Sequence, residues 1–332
     1  MKLSIIVPVY NGEKFINRAY QSIINQKLDD IAYEIIFVDN NSTDNSYKLI
    51  KELKTIDSKI RLVKQPHQGE ANARNKGVAE SKGNYVYQLD VDDEIYPDAL
   101  RKLMAVLDNN EEIHAVFGKM VKSTKSLDET VKPEDETNEV ILKQKPFWGM
   151  EWFLKLQTVV GEAAFMHRRI VFDNIGNYNT KISMGTDTVF DIELGMTHNV
   201  AFIDTYIYLY YKHADSITEQ SKRQISQVFH LWSRLVEYHL PYYLANEVPL
   251  EYKSHLFNQL FSTPAKILYH TPKFRDRTLL LKQIKKQILP YKLTFLIRSY
   301  LTLMVYWPNK YLLKYYVYRL SKRYVRTHFD TF

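Results

Sequence analysis

Residues Tyr85–Asp93 read YVYQLDVDD, a run of apolar and aromatic residues that leads directly into three carboxylates. The run predicts a half-buried strand, and Asp90 and Asp92, two positions apart, would point to the same side of an extended chain. Carboxylates so close together repel one another unless a cation neutralises them, and Mg²⁺ or Mn²⁺ prefers such oxygen ligands. An alternative is that Asp92 or Asp93 caps a helix starting near Pro97.

Apolar runs that predict buried strands alternate with segments of helical periodicity over residues 1–122. The predicted strands are Leu3–Val9, Glu34–Val38, Ile60–Lys64, Tyr85–Leu89 and Ala115–Val121. Strand–helix units repeated at this spacing predict an α/β fold with a mostly parallel, doubly wound sheet. Ligands bind such sheets at the carboxyl ends of the strands, where we expect Asp39 and Asp90 to lie.

The composition allows one large domain and an additional region, since 45% of the 332 residues are hydrophobic and 14% are aromatic. The chain contains no cysteine, which excludes disulfides, thiolate metal sites and a cysteine nucleophile. Its charge is unevenly distributed. Residues 273–332 hold 14 Lys and Arg against two acids, so the other residues carry a net charge of −5 although the whole chain carries +7.

The N-terminal apolar run is too short for a signal peptide, and no stretch reaches the roughly 18 apolar residues of a membrane-spanning helix. We therefore expect a cytoplasmic protein. Nucleic-acid binding is not expected, because the sequence contains no recognisable module for it.

Residues 219–332 are helical in pattern, basic and rich in Tyr. Within Tyr311–His328, one helical face holds Leu313, Tyr316, Val317, Leu320 and Tyr324. Because the cations lie mainly on the opposite face, we expect this region to bind an anionic membrane surface peripherally. The alternative is an ordinary helical subdomain that packs on the catalytic domain or on a partner subunit.

Four segments occur in a fixed order, and together they resemble the family 2 glycosyltransferases, which have a GT-A fold. They are SIIVPVYNGEKFI (residues 4–16), EIIFVDNNSTDNS (34–46), GEANARNKGVAESKGNYVYQLDVDD (69–93) and GTDTVFDIELG (185–195). The resemblance covers about residues 1–215. It implies a Rossmann-like sheet with flanking helices, a nucleotide-sugar donor and an inverting sugar transfer.

The resemblance implies a nucleotide pocket at the ends of the first two strands. Pro8, Tyr10 and Asn11 would line this pocket, with Tyr10 able to stack on a base, and Asp39 would contact uracil. From the residues alone, Tyr10 is equally well explained as a buried aromatic side chain at a strand end, and Asp39 as a turn residue.

The resemblance also implies a diphosphate and metal site. Arg74 suits a diphosphate because its planar guanidinium offers several fixed donors, although a solvated arginine on a helix face is an alternative. Asp92 would hold Mn²⁺ or Mg²⁺ against the donor diphosphate, and Asp90 would contact the ribose or the water shell of the metal. Asp93 and His213 are further candidate metal ligands, and for His213 the alternative is a lone surface histidine.

Asp187 is the candidate catalytic base, which would take the proton from the acceptor hydroxyl. Family members usually have Glu-Asp at this position, whereas this chain has Thr186-Asp187. Asp187 also suits the start of a helix, and the two roles are compatible. Asp191, one helical turn later, is a weaker alternative base.

Together these features predict a GT-A catalytic domain over residues 1–218, with a nucleotide-sugar-binding half at 1–122 and an acceptor-side half at 123–218. A C-terminal helical region at 219–332 follows. The predicted function is metal-dependent transfer of a hexose or N-acetylhexosamine from a UDP-sugar to a glycan or lipid-linked acceptor, in surface or capsular polysaccharide synthesis at the cytoplasmic membrane face.

Two alternatives remain open. One is a catalytically silent sugar-nucleotide-binding scaffold subunit of a glycan-assembly complex. The other is a nucleotidyltransferase. Such an enzyme would need a Gly- and Lys-rich triphosphate loop near the first strand, and the segment VPVYNGEKF (residues 7–15) does not resemble one.

Overall fold

The computed structural model describes residues 1–182, 184–214, 216 and 227–332. The chain divides into two compact units. One comprises Met1–Thr180 and Thr186–Ser216, and the other comprises Lys181–Gly185 and Ile217–Phe332. The boundary predicted between residues 218 and 219 lies outside the described residues.

The first unit is built on one central sheet. Its strands are β1 (Leu3–Val9), β2 (Tyr33–Asp39), β3 (Ile60–Lys64), β4 (Tyr85–Gln88), β5 (Glu94–Ile95), β6 (Ala115–Ser123), β7 (Val140–Lys143), β8 (Phe165–Arg168) and β9 (Val200–Tyr211). Their order is β3-β2-β1-β4-β8-β6-β9-β5, with β7 also beside β9. The first four strands run parallel to one another, whereas β8 runs antiparallel to both β4 and β6.

Helices flank the sheet of the first unit. They are α1 (Ile16–Ile24), α2 (Ser46–Ile56), α3 (Glu70–Glu80), α4 (Ala99–Asn109), α5 (Phe147–Leu154), α6 (Ile170–Ile175) and α7 (Thr186–Thr197). The strands β1 and β2 are buried almost throughout, as expected of parallel strands covered on both faces. Helix α3 packs closely on β1, because a Cβ atom at Gly77 would collide with the side chain of Ile6.

The polar, charged segment Ser123–Lys145 contributes the short strand β7. Strand β7 pairs antiparallel with β9, with Val140 opposite Ile203 and Lys143 opposite Val200. Only four residues are extended and none of them is buried, so β7 is a short surface strand. The predicted α/β architecture with a C-terminal helical region is otherwise confirmed.

The second unit is helical. Its helices are Gln227–Arg234, Leu240–Ala245, Leu250–His270, Phe274–Gln287, Phe295–Tyr306, Lys310–Tyr315 and Ser321–Thr327, with π-helical turns at Leu235–His239 and Tyr316–Leu320. The long helix Leu250–His270 supplies much of the core, since Tyr252, Phe257 and Phe261 are fully buried. None of the helices in the described ranges combines the length and the apolar composition of a membrane-spanning segment.

The predicted membrane-binding face of Tyr311–His328 is corrected by the structure. Tyr316, Leu320 and Tyr324 of that face are buried in the second unit. The ring of Tyr324 packs at 4.8 Å from that of Phe261, so this face forms part of the helical core. Helical periodicity identifies an apolar face but does not distinguish a face that packs into a protein core from one that binds lipid. Here the face packs into the core.

Candidate functional site

The carboxyl ends of β1, β2 and β4 meet at one edge of the sheet. Asp39, the last residue of β2, lies opposite Val9 in the register of β1 and β2. The chain leaves β4 beside β1, where the backbone N–H of Leu89 donates to the carbonyl oxygen of Ile6 at 2.9 Å. Asp39 and Asp90 therefore lie at the same edge, as the sequence predicted for the ligand-binding side of the sheet.

The loops after β1 and β2 are bound to each other by hydrogen bonds. Asn11 has a left-handed backbone (φ 51°), a conformation that asparagine tolerates well. Its Oδ1 accepts from the backbone N–H of Thr43 at 2.8 Å, and its own N–H donates to Ser42 Oγ at 3.1 Å. Of the predicted pocket residues here, Pro8 is half-buried and Tyr10 is 47% exposed, so the Tyr10 ring is accessible to a ligand.

Asp39 is buried at the base of this pair of loops, and its Oδ1 accepts from the N–H of Ser42 at 3.3 Å. The next residue, Asn40, anchors the segment that precedes α3. Its Nδ2 donates to the carbonyl oxygen of His67 at 2.7 Å, and its Oδ1 accepts from the N–H of Gly69 at 2.8 Å. These bonds hold the start of α3 next to the end of β2, which fixes Arg74 relative to Asp39.

Arg74 is a buried arginine at the centre of a charge cluster and not a solvated helix-face arginine, because only 1% of its side chain is exposed. Its Nη2 lies 2.7 Å from a carboxylate oxygen of Glu70 and 2.7 Å from one of Asp90, and its Nη1 lies 3.7 Å from Glu162. Burial opposes the charged guanidinium, but these three carboxylates raise the pKa of Arg74 well above its usual value. Arg74 therefore stays charged and orients Asp90.

Glu162 is a member of this cluster that the sequence interpretation missed. Its Oε1 accepts from Tyr178 Oη at 2.6 Å and from Gln88 Nε2 at 3.0 Å, and its side chain is 1% exposed. Burial raises the pKa of Glu162 to about 7, although Arg74 and the hydrogen bond from Tyr178 lower it. The feature of the sequence that could have indicated Glu162 is that it is a single acid within the apolar run Val159–Met166.

The acidic turn after β4 separates its carboxylates. The N–H of Asp93 donates to the carbonyl oxygen of Asp90 at 3.0 Å, which closes the turn. Asp93 is buried, and its Oδ1 accepts from the N–H of Tyr211 at 2.9 Å. Burial, with the nearby carboxylates of Asp92 and Asp90, raises the pKa of Asp93 well above its usual value. Asp93 thus ties the turn to β9, and its role as a metal ligand stays a prediction.

Asp92 and His213, by contrast, face each other, with Asp92 Oδ2 at 2.9 Å from His213 Nε2. The His213 ring packs between Phe15 at 4.9 Å and Tyr211 at 5.5 Å between ring centroids. Arg18 Nη2 donates to the carbonyl oxygen of Asp92 at 2.7 Å. The two predicted ligands are therefore held in place by packing from α1 and β9.

The pair Asp92 and His213 fits a divalent cation. Two neighbouring ligands of an octahedral Mg²⁺ ion, each about 2.1 Å from it, lie about 3 Å apart. The 2.9 Å between Asp92 Oδ2 and His213 Nε2 is a hydrogen-bond distance in this structure, and it is also close to that value. No group of three or more His, Asp or Glu side chains in the described part of the chain is arranged to hold a metal. Such an ion would therefore take its other ligands from water and phosphate, as Mg²⁺ commonly does.

Asp187 lies in the first turn of α7 and is half-buried. Its Oδ1 accepts from the N–H of Thr188 at 2.7 Å. It is close enough to the charge cluster that its carboxylate raises the pKa values of Glu162 and Asp191. The structure thus brings Asp187 to the same part of the first unit as Asp90 and Arg74.

Asp191, the weaker candidate base, is fully buried. Neither of its carboxylate oxygens has a hydrogen-bond partner within the described residues. Burial, together with the charges of Glu162 and Asp187, raises the pKa of Asp191 well above its usual value. Burial therefore disfavours the charged carboxylate that a general base needs at Asp191, and Asp187 stays the predicted base.

The model of the family described as glycosyl transferase family 2 matches residues 4–173, about half of the chain. The chain belongs to glycosyl transferase family 2. The matched range includes the strand-end loops, Arg74, Glu162 and the acidic turn, and it ends before Asp187 and His213.

A relative of this family 2 glycosyltransferase is the Bacillus subtilis (strain 168) protein named "Uncharacterized glycosyltransferase EpsJ". The two are 26% identical over 219 residues, which cover 65% of this chain and 63% of EpsJ. The match thus spans slightly less than two thirds of the length of EpsJ.

Two solved structures have a similar fold. S. aureus TarS 1-349 in complex with UDP-GlcNAc aligns with a TM-score of 0.55 at 16% identity, over 98% of this chain and 92% of that one. The mannosyltransferase PcManGT from Pyrobaculum calidifontis, in complex with GDP-Man and Mn²⁺, aligns with a TM-score of 0.55 at 14% identity, over 98% and 87%. At these identities the likeness establishes the fold alone.

Proposed function

We propose that this family 2 glycosyltransferase moves a sugar, with inversion, from a UDP-sugar to a hydroxyl of a glycan or lipid-linked acceptor. The observation that carries the proposal is the convergence of Asp39, the Arg74–Asp90 pair and the Asp92–His213 pair at one edge of the sheet. The complexes of the similar folds, one with UDP-GlcNAc and one with GDP-Man and Mn²⁺, support a nucleotide-diphosphate donor.

The donor nucleotide would bind at the ends of β1 and β2. The exposed ring of Tyr10 would stack on the base, and the buried carboxylate of Asp39 would accept the uracil N–H. Pro8 and Asn11 would line the same pocket, with Asn11 held by Ser42 and Thr43. Uracil, thymine and guanine carry a ring N–H that Asp39 could accept, whereas cytosine and adenine do not and would leave a buried acceptor unpaired. Among the first three, the family resemblance is the reason to expect UDP.

Asp92 and His213 would hold Mn²⁺ or Mg²⁺. Such an ion supplies Lewis-acid neutralisation of the charge that develops on the leaving nucleoside diphosphate. Asp90, fixed by the 2.7 Å bond from Arg74, would contact the ribose or the water shell of the ion. Asp93 would keep the turn attached to β9 through Tyr211.

Asp187 would act as the general base. The acceptor oxygen attacks the anomeric carbon of the donor as its proton passes to the Asp187 carboxylate. The bond from the anomeric carbon to the diphosphate oxygen breaks, and its electron pair leaves with the nucleoside diphosphate. Attack from the side opposite the leaving group inverts the anomeric configuration. One carboxylate suffices for this step, so Thr186 in place of the usual Glu is compatible with catalysis.

In this proposal residues 1–122 bind the nucleotide-sugar, residues 123–218 contribute the acceptor side, and residues 219–332 associate peripherally with the cytoplasmic membrane face. The acceptor would then be a lipid-linked saccharide used in surface or capsular polysaccharide synthesis. The charge pattern supports this arrangement, because the cations are concentrated in residues 273–332.

Release of nucleoside diphosphate from UDP-, GDP-, CDP- and dTDP-sugars, with Mn²⁺ and a bacterial lipid extract, tests the proposal. We expect at least one UDP-sugar to be consumed and NMR to show a product of inverted anomeric configuration. The same assay separates the enzyme from a silent scaffold subunit. UDP binding without release of UDP from any sugar nucleotide would favour the scaffold.

A further inference from the structure

We infer that two adjoining stripes of exposed aromatic and apolar side chains in the second unit form the surface that binds an anionic lipid bilayer. The inference refines the membrane partner proposed above, and it replaces the helical face that the structure buries. It rests on the exposure, spacing and charge of the residues between Phe295 and Lys322.

The first stripe runs along the helix Phe295–Tyr306 and its C-terminal end. Leu296, Leu303 and Trp307 follow one another at intervals of seven and four residues, which places them on one side of the helix. A neighbouring side, about a quarter turn around the helix, holds Ile297, Leu301 and Met304, which are buried. The helix therefore packs one apolar face into the unit and presents a second one outward.

The second stripe begins a few residues later and consists of Tyr311, Tyr315 and Tyr318, again at helical spacing. The exposed fractions of the six side chains in the two stripes range from 42% for Leu303 to 82% for Tyr311. Large apolar and aromatic groups that form a continuous exposed patch indicate an interaction surface, whereas single ones do not.

Tyr300 shows that the two stripes adjoin. It lies four residues after Leu296 and three before Leu303, so it is on the side of the first stripe. Its ring stacks on that of Tyr315 in the second stripe, with 5.8 Å between the ring centroids. The stripes therefore form one surface.

The charge around this surface identifies its partner as anionic. No Asp or Glu occurs between Asp276 and Asp330. The stretch carries twelve Lys and Arg, of which Arg277 is buried and the other eleven are exposed. In the described part of the chain, none of these eleven forms an ion pair with a carboxylate. They include Lys310, Lys314, Arg319 and Lys322, which lie between the stripes or flank the second one.

Tyr and Trp side chains with adjacent Lys and Arg are the composition that binds the headgroup region of a bilayer. The rings enter the boundary between headgroups and acyl chains, and the cations contact anionic phosphates. A nucleic acid would match the cations but would not cover Leu296 and Leu303, so we assign the surface to lipid.

Co-sedimentation of the full chain with vesicles tests the inference, using phosphatidylcholine alone or mixed with phosphatidylglycerol and no sugar nucleotide. We expect binding to the anionic vesicles that weakens at high salt. The triple substitution W307S, Y311S and Y318S should reduce affinity at least tenfold. A matched triple substitution of exposed apolar residues elsewhere, I56S, V131S and L250S, should leave it unchanged. K314Q, R319Q and K322Q together should reduce it by roughly fivefold per cation.

Tryptophan fluorescence locates the contact. Trp307 is 63% exposed, whereas Trp152 and Trp232 are buried and Trp148 is half-buried. Anionic vesicles should therefore shift the emission to shorter wavelengths, and brominated acyl chains should quench it. In W307F the shift should disappear while binding persists. A shift that persists in W307F would overturn the inference.

Other outcomes are equally decisive. If the W307S, Y311S and Y318S variant binds vesicles as tightly as the I56S, V131S and L250S control, the stripes are not the lipid surface. If that variant instead breaks an oligomer detected by light scattering, the stripes bind a second copy of the chain. These assays need neither donor nor acceptor. A negative result for lipid binding therefore does not contradict the proposed sugar transfer, which the nucleoside diphosphate release assay tests separately.

Discussion

Replacing Asp187 with asparagine is expected to reduce the transfer rate by roughly 10²- to 10⁴-fold, the usual contribution of a positioned general base. Asparagine keeps the size of the side chain and its oxygen can still accept from the N–H of Thr188, but it cannot take the acceptor proton. We therefore expect kcat to fall while the affinity for the nucleotide-sugar changes little. Initial rates of nucleoside diphosphate release, measured over a range of donor concentrations, separate the two effects.

Asp191 provides the matched control for this experiment, one helical turn away on the same helix. Its burial favours the protonated form of the carboxyl group, so D191N replaces a group that is poorly suited to take a proton with a neutral one of similar size. We expect D191N to retain most of the activity. Unchanged transfer by D187N, or an equal loss in both variants, would exclude Asp187 as the base.

Replacing Arg74 with alanine is expected to destabilise the protein by about 3 to 5 kcal/mol, the range measured when one partner of a buried ion pair is removed. The substitution leaves Asp90 and the buried carboxylate of Glu162 without their cation. Donor binding should be lost as well, because Asp90 is no longer held. Chemical denaturation measures the loss of stability. The control is R101A, which removes an exposed arginine paired with Asp30 and should leave the denaturation midpoint near that of the wild type.

The pH dependence of R74A follows from the sign of the Glu162 shift. In the folded protein the pKa of Glu162 is raised from 4.5 to about 7, so folding favours the protonated form and its contribution to stability declines as the pH rises through that range. Arg74 lowers the pKa of Glu162, so removing Arg74 should raise that pKa further. The difference in unfolding free energy between R74A and the wild type should therefore shrink as the pH falls from 8 toward 5. A constant difference would argue against the charge cluster as its cause.

The sequence located the site residues that depend on local pattern. Asp39 and Asp90 follow apolar runs, and parallel strands place such ends together, so their common edge could be predicted. The pairing of Asp92 with His213 joins residues 121 apart in the chain. Only the resemblance to family members suggested His213, since nothing in its own surroundings distinguishes it from a surface histidine.

Other features could not be predicted because they depend on contacts that the local sequence does not encode. Glu162 joins the cluster through Arg74, Tyr178 and Gln88, and the last of these lies 74 residues away. In the C-terminal helices, apolar and aromatic residues occur on more than one face. Periodicity alone therefore selected Tyr316 and Tyr324, which the core buries, over Tyr311 and Tyr318, which are exposed.

The most direct test of the account is a calorimetric titration of UDP into the protein with and without Mn²⁺, performed on the wild type, D92N and D187N. The account predicts a single UDP site whose affinity increases with Mn²⁺, loss of that increase in D92N, and its retention in D187N. These results would tie the nucleotide, the metal and the Asp92–His213 pair to one site and separate binding from the proton-transfer role of Asp187. UDP binding that responds neither to Mn²⁺ nor to D92N, or no binding of UDP at all, would contradict it.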